Sequence, residues 1–384
     1  MPMPAPDADA AAASALLAGR IADEIRQAGG WIPFSRYMAL ALYTPGLGYY
    51  GGGARKFGAA GDFVTAPELS PLFAEALAAQ IAPLMAASAP RLLEAGAGSG
   101  ILAFDLLHAF ERRGALPERY EILELSGELR ARQQATLARA APHLAARVVW
   151  LDALPENFSG VVLANELLDA LPVDLAVWRE DGIHERGVTL AENGFAWAER
   201  PATGGLLAAA QALSFVSPPY VSEIGLAARA WVAEWGRILR RGALLLIDYG
   251  FPQREYYHPQ RGEGTLMCHY RHHAHGDPFW LPGLNDLTAH VDFTAIAEAG
   301  YEAGLDVLGY ASQGAFLLNC GLAQLLEARR ADAAADVAYA TLAAGAQKLI
   351  SPAEMGELFK VLLLGKGIEE PLPGFAQGDR SHAL

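Results

Sequence analysis

An α/β fold is predicted: a mostly parallel sheet of about seven strands, the last antiparallel, with helices on both faces. Three observations carry this. Short apolar runs without polar alternation recur between residues 91 and 249, as expected of strands buried on both faces. Segments with apolar residues four apart stand between them. A glycine-rich turn follows the first run directly and opens the first of those helices.

Taken in order, the chain begins with a short helix over Ile21–Gln27, ended by Gly29 and Gly30, and a second over Pro33–Leu42. Tyr43–Phe63 is rich in glycine and aromatic residues and reads as an ordered loop. Thr65-Ala-Pro-Glu68 has capping-box spacing and predicts a helix to about Met85. Strands are then expected at Arg91–Ala95, Tyr120–Glu124, Arg147–Leu151, Gly160–Ala164 and Ala243–Tyr249. Leu102, Leu106 and Phe110 mark the helix after the first strand, and Leu129–Ala140 the helix after the second. Two pieces break this rhythm. Val177–Arg200 alternates around Glu192-Asn193-Gly194 and predicts a β-hairpin. Phe251–Val291 is long, rich in His, Pro and aromatics, and weakly periodic, as lids and binding loops are. A helix capped by Asp292, a strand near Leu305–Tyr310, helices to about Leu349 and a closing strand at Phe359–Leu364 complete the chain. The organisation expected is a helical N-terminal section with a covering loop (1–86), a core (87–250) with the hairpin inserted near 177–200, an insertion at 251–291, and a C-terminal completion of the sheet (292–384).

The 384 residues are 52% hydrophobic and hold no long polar tract, so a large packed core is expected. The formal charge of −14 and the absence of a Lys/Arg-rich run argue against nucleic acid as partner. The same acidity suits a cationic substrate such as an arginine side chain. No uncharged apolar run reaches the ~18 residues a bilayer span needs, so no membrane role is expected. Met1–Ala15 lacks the layout of a signal peptide. Two cysteines, Cys268 and Cys320, make no disulfide framework. A cytoplasmic location is the expectation. The run Cys268-His-Tyr-Arg-His-His-Ala-His275 brings adjacent residues of one loop, which rarely converge on zinc; no metal is expected.

Leu92-Leu-Glu-Ala-Gly-Ala-Gly-Ser-Gly100 carries the chemistry. Gly96, Gly98 and Gly100 allow a tight turn and leave no Cβ between backbone and ligand. A dinucleotide fingerprint needs its third glycine one place later, where Ile101 stands. Glu94 precedes the turn, and a carboxylate there suits a cation better than a pyrophosphate. S-adenosylmethionine, with a sulfonium and an amino group, meets that description. A tight turn without a ligand is the plainer alternative. Glu124, at the end of the second strand, is placed to accept both hydroxyls of a ribose. Asp152, after the third, either reaches an adenine amino group or caps a helix. The fourth strand delivers Asn165-Glu166-Leu-Leu-Asp169 beside the methyl donor. Glu166 and Asp169 are candidates to hold a guanidinium bidentately while its nitrogen attacks; alternatively Asn165 turns the strand and Asp169 faces solvent. His290, in Ala-His-Val-Asp292, is a candidate general base or substrate contact.

These residues resemble the MidA-type family, the mitochondrial complex I assembly arginine methyltransferases and their bacterial relatives. The matching stretches are Ala41–Tyr50, Gly61–Ser70, Glu94–Gly100, Glu124–Ser126, Asn165–Pro172, Ile247–Gly250, Asp286–Thr294 and Ser312–Gly314, in family order. The resemblance implies a Rossmann-like class I methyltransferase core with S-adenosyl-L-methionine as donor. It implies a protein arginine as acceptor, with a respiratory-complex subunit among the partners it points to. It also implies that Gly61–Glu68 folds over the cofactor and that Asp286–Asp292 borders the substrate cleft. Gly127 stands where the family has Pro. Two further readings stand beside this one. O-methylation of a small carboxylic acid would use Arg271 or Arg254 as a clamp, and a cofactor-binding assembly factor would have no turnover at all.

Overall fold

The computed structural model describes residues 3–52, 65–332 and 336–384. They fall into two compact units. One draws on the chain up to residue 52, on Leu168–Trp231 and on Gln253–Asp292. The other draws on the chain from residue 65 to Leu167, on Val232–Pro252 and on Phe293–Leu384.

The second unit contains the expected sheet. Its strands are β1 (Arg91–Ala95), β2 (Arg119–Leu123), β3 (Val148–Leu151), β4 (Phe158–Asn165), β5 (Leu239–Phe251), β6 (Asp306–Ser312) and β7 (Phe359–Lys366). They lie in the order β3-β2-β1-β4-β5-β7-β6. The first five are mutually parallel, and β7 runs antiparallel to both neighbours. After β1 the chain steps outward through β2 and β3, then returns to the other side of β1 as β4. Strand order reverses there, which opens a crevice outside the carboxyl ends of β1 and β4.

Apolar runs form these strands because both faces are covered. Leu92, Tyr120, Ile122, Val161, Leu163, Leu245 and Ile247 fall on one face by register and are at most 1% exposed. Helix α1 (Leu72–Ala87) brings Phe73 and Leu77 to that core, and α2 (Ile101–Arg113) brings Leu106 and Phe110. Each such side chain contributes about 1.5–3 kcal/mol by burial, so packing rather than strand propensity holds this face.

Two expectations change here. Thr65 makes no side-chain cap bond, so the capping box does not form. Ala66–Leu69 is a separate short helix, and Ser70-Pro71 divides it from α1. Of the segment Gly61–Glu68, expected to cover the cofactor, residues 61–64 lie outside the described residues.

The first unit opens with a helix over Ala8–Gln27, longer than predicted, whose cap Asp7 accepts from Ala10 N–H at 2.8 Å. Leu17, Ile21 and Ile25 form its buried stripe and join Phe34, Tyr37, Met38 and Leu42 of the helix Phe34–Tyr43 in one core. Asp174–Arg179, Gly182–Ala191 and Gly194–Pro201 form an antiparallel meander, and the last two are the hairpin turned at Glu192-Asn193. Trp31–Pro33 and Tyr220–Ile224 extend that sheet.

The stretch 251–291 is more structured than its weak periodicity suggested. Met267–Tyr270 pairs with both His273–His275 and Asp286–Thr288. Strands of three or four residues are too short to imprint an alternation on the sequence. Among the described residues no helix is long and apolar enough to cross a membrane.

Candidate functional site

The turn between β1 and α2 holds Gly96, Gly98 and Gly100 at φ of 73°, 51° and 79°, the left-handed region. At Gly100 a side chain would also be crowded, since its Cβ would stand 3.1 Å from the Gln133 Cα. At Gly96 the obstacle is the Leu167 side chain, 2.9 Å away. All three glycines are therefore fixed by conformation, and Gly100 by a neighbouring helix as well.

That helix is α3 (Gly127–Ala140), capped by Ser126, whose Oγ accepts from Leu129 N–H. Leu129, Gln133 and Leu137 form its inward stripe, and Gln133 is fully buried. Gln133 Nε2 donates to the Gly98 carbonyl at 3.1 Å and to Glu124 Oε2 at 3.0 Å, and its Oε1 accepts from Trp150 Nε1 at 3.0 Å. One amide thus ties the glycine turn, the end of β2 and strand β3 together. Sequence reasoning missed this residue, although a polar side chain within an apolar helical stripe is a visible signal.

Glu124 is 8% exposed. Its Oε1 accepts from Ser126 N–H at 2.8 Å. Burial raises its pKa, opposed by the Ser126 amide, Gln133 and Arg130. Next to it Leu125 is 80% exposed. Arg130 donates to the carbonyls of Glu124 and Leu151 and pairs with Asp152 at 2.6 Å, bracing the ends of β2 and β3. Asp152 itself is largely exposed.

Glu94 is buried against Tyr120, whose hydroxyl donates to Oε2 at 2.6 Å. Desolvation pushes its carboxyl up to about 7, the phenol pulls it down, and Glu124 adds a smaller upward push.

At the end of β4, Asn165 Nδ2 donates to Glu166 Oε1 at 3.0 Å, while its Oδ1 is buried without a hydrogen-bond partner. Glu166 has φ 52°, unusual for a side-chain-bearing residue. Its N–H continues the ladder to the Ile247 carbonyl, and its Oε1 also accepts from Ala66 N–H at 3.2 Å. Ser99 Oγ donates to Glu68 at 3.3 Å. A left-handed glycine turn, a buried acid at the tip of β2 and an orphaned acceptor at the tip of β4 fit a ligand carrying hydroxyls and a protonated amine.

The other catalytic candidates, Asp169 and His290, belong to the first unit. Asp169 is 6% exposed, and its carbonyl accepts from Ala289 N–H at 3.0 Å. His290 N–H donates to Thr265 Oγ1 at 3.0 Å, and that hydroxyl donates to Glu223 Oε2 at 3.0 Å. Glu223 is buried and also accepts from the amides of Thr265 and Leu266, which pins the turn behind His290. Nothing in the local sequence singled out Glu223. Arg271, considered as a carboxylate clamp, donates to the Ala5 carbonyl and lies 4.0 Å from Asp7. Among the described residues no group of three or more His, Cys, Asp or Glu is placed to hold a metal.

Three comparisons bear on this site. Residues 73–311 match the family model described as "Putative S-adenosyl-L-methionine-dependent methyltransferase". The fold is similar to the crystal structure of a Burkholderia thailandensis protein bound to S-adenosyl-homocysteine, at 54% identity, TM-score 0.95 and full coverage of both chains. A second structure from that organism matches over both full lengths at 53% identity and TM-score 0.92. Among curated proteins, the chain is 31% identical to the Danio rerio protein arginine methyltransferase NDUFAF7, mitochondrial, across 87% of this chain and 83% of that one. The Drosophila melanogaster homologue is 29% identical across 93% and 89%.

Proposed function

Because the chain belongs to the family of S-adenosyl-L-methionine-dependent methyltransferases, and so is a methyltransferase that takes S-adenosyl-L-methionine as its donor, we propose that it methylates an arginine side chain of a protein. The observation that carries the donor half is the glycine turn flanked by Glu124 and Asn165 at the strand-order reversal. The acceptor half is supported by the relatives named as protein arginine methyltransferases. The excess of acids over bases in the chain favours the same cationic acceptor.

In this reading Gly96, Gly98 and Gly100 let the donor approach the backbone. Glu124 accepts the ribose hydroxyls, and the unfilled Asn165 Oδ1 accepts from the amino group. Asp152 reaches the adenine amino group, and Glu94, when ionised, favours a positively charged ligand. The bound donor supplies an electrophilic methyl carbon on sulfur. Asp169 orients the acceptor guanidinium, which concentrates a nitrogen lone pair on the line of attack. His290 receives the proton that this nitrogen sheds as its new bond forms. The Glu223–Thr265 hydrogen bonds fix the backbone that presents His290. Cys268 and Cys320, both free and buried, suit a reducing compartment, which we take to be the cytoplasm.

Incubating the protein with methyl-labelled donor and a cell lysate tests the acceptor. The expected result is label on arginine side chains of one or a few proteins. Label confined to small carboxylic acids would contradict the proposal.

A further inference from the structure

The unit that holds Asp169 and His290 carries a polar constellation around one tyrosine. Asp286 begins the strand Asp286–Thr288, is 1% exposed, and accepts from the Tyr50 hydroxyl at 2.9 Å. Tyr43 stacks on Tyr50, with centroids 5.6 Å apart and planes at 21°, and donates to the Ala170 carbonyl at 2.7 Å. The preceding carbonyl, of Asp169, accepts from Ala289 N–H at 3.0 Å. The Asp169–Ala170 segment is thus tied to the end of the 286–288 strand and to the aromatic pair. Burial, and after it the charges of Asp286 and then Asp169, hold the Tyr50 phenol well above its usual pKa.

Thr288 adds an unsatisfied polar group to this cluster. Strand alternation turns Asp286 and Thr288 to one face, opposite Leu287, which packs in the core. Thr288 is 3% exposed, and its hydroxyl has no hydrogen-bond partner. Burying a hydroxyl with its bonding capacity unused is costly unless a ligand completes it.

We propose that Asp286, Asp169 and Thr288, walled by the stacked rings of Tyr43 and Tyr50, bind the guanidinium of the acceptor arginine and select it. The inference rests on the arginine reading above and names the side chains that recognise the acceptor. A guanidinium is a flat cation with five N–H donors. Two carboxylates and one hydroxyl offer acceptors to several of those donors, and tyrosine faces attract a planar cation. A carboxylate substrate would meet like charge here. An ammonium would lack the planar fork that matches this arrangement.

The full chain saturated with S-adenosyl-homocysteine would be titrated with the amides of N-acetyl-arginine, N-acetyl-citrulline and N-acetyl-lysine, followed by NMR. The arginine probe is expected to bind about tenfold or more tightly than neutral citrulline, and more tightly than lysine. Asp286→Asn should weaken the arginine probe by about tenfold, and Thr288→Val by several-fold, with S-adenosyl-homocysteine affinity retained as the check on folding. Should Asp286→Asn fail that check, Thr288→Val and Tyr50→Phe carry the test. No binding of the arginine probe, equal binding of citrulline or lysine, or variants indistinguishable from wild type would overturn the pocket. The parent reading fails separately. If the lysate assay labels arginine and both variants keep the wild-type KM, the pocket is wrong and arginine stands; if no arginine is labelled, the parent reading falls.

Discussion

Glu94 shows how one buried carboxyl can report on the site through stability. In the folded chain it keeps its proton up to about pH 7, whereas its ordinary value is 4.5. Between these values the folded state binds a proton that the unfolded state has lost, so stability falls as pH rises through that window. Above pH 7 the full cost is in place, on the order of 3 kcal/mol for a group this buried. Glu94→Gln keeps a partner for the Tyr120 hydroxyl but has nothing to ionise. The ligand-free variant is expected to melt above wild type at pH 8 and close to it at pH 5, with a flatter pH profile between. Melting curves at those two pH values decide it, and parallel profiles would show that Glu94 ionises normally inside the fold.

Among the elements, α3 couples the turn to the sheet through Gln133. Gln133→Leu would preserve the apolar stripe of Leu129 and Leu137 but strand the Trp150 N–H, the Gly98 carbonyl and one oxygen of Glu124. Each buried group left unpaired costs about 1–3 kcal/mol. The variant is expected to lose several kcal/mol in urea unfolding and to bind S-adenosyl-homocysteine more weakly. An unchanged midpoint would mean that this amide is not a brace.

Elements were legible wherever burial imposed a pattern. Arg91–Ala95 was bounded correctly because both faces of β1 are covered and a glycine follows at once. The helix Ala8–Gln27 was read from Ile21 onward because its first two turns are nearly all alanine, with no apolar period to see. The capping-box motif at Thr65 misled for a different reason. Glu68 is used in a hydrogen bond from Ser99, a tertiary contact that local spacing cannot reveal.

At the scale of the molecule, the donor-site candidates Glu94, the three glycines, Glu124, Asp152 and Asn165, and the catalytic candidate Glu166, all lie in one unit, on the ends of strands that the sequence displays in order. They could be named early because a parallel sheet brings successive strand ends to one edge. Asp169, Asp286, Thr288 and His290 belong to the other unit, assembled from three separated segments. No local pattern announces that Tyr50 and Asp286, 236 positions apart, share a hydrogen bond. Glu223 is hidden for the same reason, since its role exists only once distant backbone is in place, whereas Gln133 is marked by its place in an apolar helical stripe.

The donor site works only if Glu124 and the glycine turn grip a positively charged nucleoside. Calorimetric titration of the purified chain and its Glu124→Gln variant with S-adenosyl-homocysteine and with NAD tests this most directly. The expected outcome is saturable binding of S-adenosyl-homocysteine, at least about tenfold weaker binding by the variant, and little or none of NAD. Tighter binding of NAD, or a variant that binds S-adenosyl-homocysteine as well as wild type does, would contradict it.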